Sequence, residues 1–166
     1  MSSFYSEFPL VRYTLNEKEN LFVNITRETS YNKDFFNNKR AFIEYKVQDS
    51  DTPITIADKL YDDHNLDWVV LHFNNIIDFN NEWVLNYYEF MEYINEKYQD
   101  INGFHHYESK STGAVVYDGH DSFDITIISN FKYEERINEN KRNLKLIHPD
   151  YVNQYVDLFN ETIRVE

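Results

Sequence analysis

Apolar residues recur in several distinct rhythms along this 166-residue chain, and each change of rhythm marks an element. In residues 1–30, FPLVRY and NLFVNIT read as short extended pieces, with Leu21, Val23 and Ile25 on one face of a strand, in a terminal segment expected to pair only with a partner. SYNKDFFNNKR follows as a loop or one helical turn. RAFIEYKV, residues 40–47, alternates Ile43, Tyr45 and Val47 with Glu44 and Lys46 and predicts a strand. After a polar turn from Gln48 to Thr52, Thr52-Pro53 supplies an N-cap with proline in the first turn, while Thr55 and Asp58 offer a competing start. Ile56, Ala57, Leu60 and Tyr61 form the apolar face of this short helix, and Asp62-Asp63-His64-Asn65 ends it.

Asp67 reads as the cap of a second helix carrying Trp68, Leu71 and His72. Asn74-Asn75 closes it, because asparagine tolerates left-handed backbone. Asn86 and Glu89 mark the N-cap and third position of a third helix, Tyr87 to Tyr98, with Phe90, Met91, Ile94 and Tyr98 as its buried stripe. Trp83 is expected in the corner between the second and third helices. Phe104–Glu108 and Ala114–Tyr117 read as a hairpin around Ser109–Gly113, Asp118-Gly119 as a further turn, and Phe123–Ser129 as β-rich. Residues 131–142 are helical and charged, and LKLI is a short strand or a continuation of that helix. Pro149 opens a final helix through Ile163, where Tyr155, Val156, Phe159 and Ile163 follow Val152 at offsets of 3, 4, 7 and 11. The segments are thus 1–39, extended and docking on partners; 40–100, a core with the third helix; 101–130, a β-hairpin insertion; and 131–166, a C-terminal helical segment.

Composition narrows the function. Acidic residues outnumber basic ones, 29 to 16, which argues against binding a phosphate backbone or an anionic membrane surface. Without cysteine there is neither disulfide nor thiol chemistry. No apolar run approaches a membrane span, and the N-terminus lacks the pattern of a secretion signal, so synthesis and folding in a cytoplasm are expected. Tyrosine and phenylalanine are abundant, at 14 and 13, and suit cores and interfaces. The many asparagines read as the composition bias of an AT-rich genome.

Candidate chemistry is thin, and no catalytic, metal or cofactor residues are assigned. His105, His106 and His120 cluster, but adjacent strand residues point to opposite faces, so His105 and His106 are not expected to share a metal. A site would need His120 with one of them and Asp118 or Asp121. Carboxylates are plentiful without a pairing pattern, and neither a phosphate-binding glycine loop nor a nucleophile elbow is present. Lys132, Arg136, Lys141, Arg142 and Lys145 interleave with Glu134, Glu135 and Glu139 as a salt-bridged, solvated helix face. The residues expected to act as core or interface anchors are Trp68, Trp83, Tyr87, Tyr88, Tyr151, Tyr155 and Phe159, on a Tyr151–Phe159 stripe and around the second and third helices.

The stretch YKVQDSDTPITIADKLYDDHNLDWVVLHFNN resembles a LysM module. Asp51-Thr52 matches its turn, Ile56-Ala57 its first helix, and Leu66 with Asn74 or Asn75 its second. Ser50 stands where LysM modules carry glycine, Pro53-Ile54 is inserted, and the second helix is more apolar. These departures point to a scaffold serving protein contacts. IADKLYDDHNLDWVVLHFNNIID followed by EWVLNYYEFMEYI, with YEERINENKRNLKLIHPDYVNQYVDLF further on, is similar to the baseplate wedge family encoded by gene fifty-three of T-even-type contractile-tailed phages.

The resemblance implies an α+β fold: a LysM-like strand-helix-helix core, an added long helix, a small β insertion and a C-terminal helix. It implies a structural, non-enzymatic component of the virion tail baseplate that joins wedge proteins and helps six wedges close around a central hub. Its partners would be wedge core and sheath-initiator subunits in a hetero-oligomer of six-fold symmetry, without nucleic acid, membrane or cofactor. Exposed apolar residues of 1–30 and of the final helix would be covered by those partners, over roughly 2,000 Å² or more for an obligate contact. The alternative is a LysM-type module holding a virion or cell-wall protein on peptidoglycan.

Overall fold

The computed structural model describes residues 8–15, 18–24, 40–117 and 124–164. They form a mixed helix and strand protein, in agreement with the α+β expectation. In chain order the elements are β1 (Leu10–Leu15), β2 (Lys18–Val23), β3 (Phe42–Lys46), α1 (Pro53–Tyr61), a 3-10 turn (His64–Leu66), α2 (Asp67–Phe73), α3 (Phe79–Glu82), α4 (Tyr87–Lys97), β4 (Phe104–Ser109), β5 (Val115–Val116), β6 (Ile125–Ser129), α5 (Asn130–Asn140), β7 (Asn143–Ile147) and α6 (Pro149–Arg164). They fall into two compact units: one takes the described parts of 1–45, 51–79 and 144–166, and the other 46–50 and 80–143. This grouping differs from segments read along the chain. The final helix belongs with α1 and α2, and the long α4 belongs with the β insertion.

In the first unit, β1 and β2 pair antiparallel from Leu10 opposite Val23 to Leu15 opposite Lys18. The extended pieces therefore pair with each other instead of waiting for a partner strand. Ile25 and residues 30–39 lie outside the described residues. The start of α1 is settled by a reciprocal box: Thr52 Oγ1 accepts from the Thr55 N–H at 3.2 Å, and Thr55 Oγ1 accepts from the Thr52 N–H at 2.8 Å. Thr55 is thus the third helical residue and not a rival cap. Asp62 ends the helix in the left-handed region at φ 56. Asp67, expected as a cap, is instead the first residue of α2. The 3-10 turn runs straight into that helix, and Asp63 caps the turn by accepting from the Asn65 N–H at 2.9 Å.

The last helix closes this unit. Trp68 of α2 packs on Phe159 of α6 with ring centroids 4.6 Å apart, and Phe159 also meets His72 at 5.1 Å and Phe8 at 6.2 Å. Tyr155 packs on Phe73 at 5.7 Å. Val152, Tyr155, Phe159 and Ile163 are all buried, as their spacing predicts, with Val156 packed alongside. The stripe expected to supply core or interface anchors is therefore core, consumed inside the chain.

Polar groups lock the same elements. The Asn74 side chain pairs with both backbone groups of Lys145: its Nδ2 donates to the carbonyl at 2.8 Å and its Oδ1 accepts the N–H at 2.9 Å. The buried Asp51 carboxylate accepts from the Tyr45 hydroxyl at 2.7 Å and from Lys59 Nζ at 2.8 Å. Burial and the Asp51 bond push the Tyr45 phenol up to about 12.

The second unit holds a sheet of order β5-β4-β6, antiparallel throughout. The Ala114–Tyr117 strand contracts to two residues, after a turn in which Gly113 takes φ 70. Asn86 caps α4 with Glu89 closing the box, as expected, and the Ser129 hydroxyl caps α5 by accepting from the Lys132 N–H. Phe90 and Phe131 meet at 5.6 Å between these helices. Asn138 repeats the amide clamp on the peptide groups of Leu85, accepting its N–H at 2.8 Å and donating to its carbonyl at 2.9 Å. At least two of the asparagines ascribed to composition bias are thus structural.

Phe159→Ala is expected to cost about 3–5 kcal/mol in a urea unfolding titration, since it leaves a cavity among rings that cannot collapse. His72 gives a pH signature. Burial holds its imidazole below the ordinary value of 6.5, and its Nδ1 lies 2.6 Å from the Tyr155 hydroxyl. A histidine whose folded value is depressed contributes stability above its unfolded value, which is lost as pH falls from about 6.5 towards the folded value. The unfolding midpoint should fall between neutral pH and about pH 5, and His72→Gln should flatten that fall.

Candidate functional site

Strand register decides what the β1–β2 hairpin shows to solvent. Residues opposite one another share a face, so Leu10, Leu21 and Val23 lie with Arg12 on one side, and Val11, Tyr13, Leu15 and Phe22 on the other. Tyr13 and Phe22 make an edge-to-face contact at 6.5 Å across the second face. All these apolar side chains are exposed, Leu21 at 62% and Phe22 at 54%. The hairpin therefore has two apolar faces. Phe8, just before it, is buried in the core and ties it to the first unit. None of the anchors expected from sequence lies in this ribbon. The available signal was that apolar residues occupy both phases of the alternation in LVRYTL and KENLFV, where a strand with one solvated face would occupy one.

The seven expected anchors separate. Trp68, Tyr155 and Phe159 are core, and Tyr151 packs half-buried against them. Trp83 is buried in the second unit. Only Tyr87 and Tyr88, at the start of α4, are open to solvent, at 62% and 83%, with their rings 5.7 Å apart in a T-shape.

The charged face of α5 is not solvated throughout. Arg136 bonds Glu108 at 2.6 Å, and Arg142 bonds Glu139 and Asp49 at 2.7 and 2.6 Å, with the Glu108 and Arg142 side chains each only 12% exposed. Lys145 lies on β7, its ammonium 5.0 Å from the centroid of the Phe42 ring. Glu134, however, turns inward and is buried. Its carboxylate accepts from the Tyr98 hydroxyl at 2.7 Å, Lys97 Nζ at 2.9 Å and the Tyr93 hydroxyl at 3.4 Å. Burial acts to raise its pKa, but the Tyr98 and Lys97 bonds outweigh burial and hold the group below its ordinary value. The same cluster holds Lys97 above the usual lysine value, chiefly through the Tyr93 and Glu134 bonds.

The histidines depart from expectation. β4 bulges against β6: Phe104 faces Ser129 and His106 faces Ile128, so two steps on one strand match one on the other. The bulge breaks the alternation and brings His105 and His106 Nδ1 atoms to 2.7 Å, one donating and the other accepting. His105 stacks on Tyr133 at 3.9 Å, and His106 Nε2 bonds Glu108 at 3.0 Å. Among the described residues no three His, Asp or Glu groups assemble to hold a metal. His120, Asp118 and Asp121 lie outside them.

In the second unit, α4, α5 and the chain from Asn80 to Leu85 also leave a cleft of about 230 Å³, whose lining includes Phe90, Tyr93, Glu134 and Lys141. Glu134→Ala should strand the Tyr98 hydroxyl and lower stability by about 2 kcal/mol in a denaturant titration, and Glu134→Gln should cost less by retaining an acceptor.

The arrangement is one of exposed apolar surface on a braced scaffold. No helix among the described residues is long and apolar enough to cross a membrane. No individual curated protein matches the chain. The family described as Base plate wedge protein 53 matches residues 10–125, from the first residue of the hairpin to the start of β6 and over more than half of the chain. The chain therefore belongs to the phage base plate wedge protein 53 family and is a structural component of the virion tail baseplate.

Proposed function

We propose that this protein is a non-enzymatic connector that joins wedge proteins and helps six wedges close around the central hub. Its partners are the wedge core and sheath-initiator subunits, in a hetero-oligomer of six-fold symmetry. The observation that carries this reading is the β1–β2 hairpin. A two-stranded ribbon is marginal alone in water, and this one exposes apolar side chains on both faces. A surface of that kind is accounted for by neighbours that cover it. Residues 1–39 are accordingly the docking segment, and Tyr87 with Tyr88 is a second contact point, since tyrosine is enriched at interfaces.

The Asp51-Thr52 turn supports protein contact over glycan binding. The Asp51 carboxylate is taken by Tyr45 and Lys59, and the Thr52 hydroxyl by the cap of α1. These polar atoms of the turn are spent on the scaffold itself.

Replacing Leu21 and Phe22 together by Asp places a charge on each face of the ribbon. Because both side chains are exposed, thermal unfolding should shift by no more than about 0.5 kcal/mol per site. Co-purification with wedge proteins should be lost. A charged hairpin that still assembled like the unaltered chain, or cryo-electron microscopy of baseplates showing the ribbon uncovered, would refute the proposal.

A further inference from the structure

The cleft of the second unit has an apolar wall of Leu85, Phe90 and Ile137. Most of its polar groups are engaged within the protein: Asn138 clamps Leu85, and Glu134 is held by Tyr98, Lys97 and Tyr93. Lys141 differs. Its half-buried ammonium donates to the Asn81 carbonyl at 2.6 Å, and Glu134 and Glu82 act on it only through longer-range attraction. Burial pushes it below the ordinary lysine value, so the charged form bears a desolvation cost that a carbonyl alone does not offset. An ammonium has three donors, and the Asn81 carbonyl takes one.

The geometry points to this cleft as a socket for the carboxylate side chain, Asp or Glu, of a neighbouring polypeptide. At about 230 Å³ it lies below the usual range of cofactor and small-molecule sites, which begins near 300 Å³, and is sized for one anchoring side chain. A carboxylate entering it gains a charge-assisted hydrogen bond away from bulk water, while its methylenes meet Phe90 and Ile137. The chain as a whole is strongly acidic, so recognition here is a local pairing and not long-range attraction. Lys97 already answers Glu134, which leaves Lys141 as the cation to be matched.

The choice of a polypeptide occupant rests on the wedge reading, whereas the test reads the cleft directly. The isotope-labelled full chain is titrated with acetyl-Leu-Glu-amide, acetyl-Leu-Gln-amide and free glutamate, following backbone amide shifts. The Glu peptide should give saturable shifts at Leu85, Ile137, Asn138 and Lys141, with the Gln peptide at least about tenfold weaker. Lys141→Gln keeps a donor for the Asn81 carbonyl and should leave the unfolding midpoint in place while weakening the Glu peptide about tenfold, and Lys141→Arg should retain binding. Equal binding of the two peptides, shifts located elsewhere, or no shift at millimolar peptide would overturn the socket. Free glutamate binding as tightly as the Glu peptide would overturn the polypeptide assignment. These outcomes leave the wedge role untouched, since that role is tested at the hairpin.

Discussion

The contact between Trp68 and Phe159 is the constraint on which the first unit depends. It joins a seven-residue helix to the last helix of the chain across most of the sequence. A helix as short as α2 has little stability of its own, and its Trp68, Val69 and Phe73 are buried in a cluster completed by the returning chain. An aromatic pair of this kind contributes about 0.5–1.5 kcal/mol beyond the area it buries. With α6 in place, β7 lies beside β3, the His148 N–H reaches the Ala41 carbonyl at 2.8 Å, and Tyr61 donates to the Ile147 carbonyl at 3.1 Å. Phe8 enters the same cluster, so the ribbon that follows it is rooted in this core.

Around this apolar centre the protein solves its polar problem with asparagine. A side-chain amide carries a donor and an acceptor in the same arrangement as a peptide group, so Asn74 and Asn138 can each satisfy both backbone groups of one distant residue. Each clamp stands where regular pairing stops: at the end of α2, and beside the irregular chain before α4. Glu134 follows the same logic with a charge. A buried carboxylate is tolerated because two tyrosine hydroxyls and a lysine surround it. A scaffold braced in this way keeps its shape while presenting apolar surface, as a component of a large assembly must.

The hairpin contrasts with the core elements. There the apolar stripes are buried, whereas β1 and β2 hold theirs in solvent on both faces. Family membership gives this a physical sense, since a baseplate wedge protein associates with other baseplate proteins. The final helix carries the opposite lesson. Its stripe has the same composition an interface would have, yet it is spent within the chain.

Local signals were legible in the sequence because their causes lie within one or two turns of chain. The Thr52 and Asn86 caps, the left-handed Asn75, the α6 stripe and the β4–β5 hairpin all follow from residues a few positions apart. So did the family, through the run from Ile56 to Ile94. Three matters were decided only by the tertiary structure. Whether an aromatic is core or surface depends on what arrives opposite it: Phe159 met Trp68, while Tyr87 and Tyr88 met solvent. Whether neighbouring histidines diverge or touch depends on a bulge, set by β6 from some twenty residues away. Whether Glu134 is solvated depends on Lys97 and Tyr98 coming from another helix and its end. Periodicity determines which face of an element is apolar. Only packing determines what that face is for, because the partner that covers it lies far along the chain or in another protein.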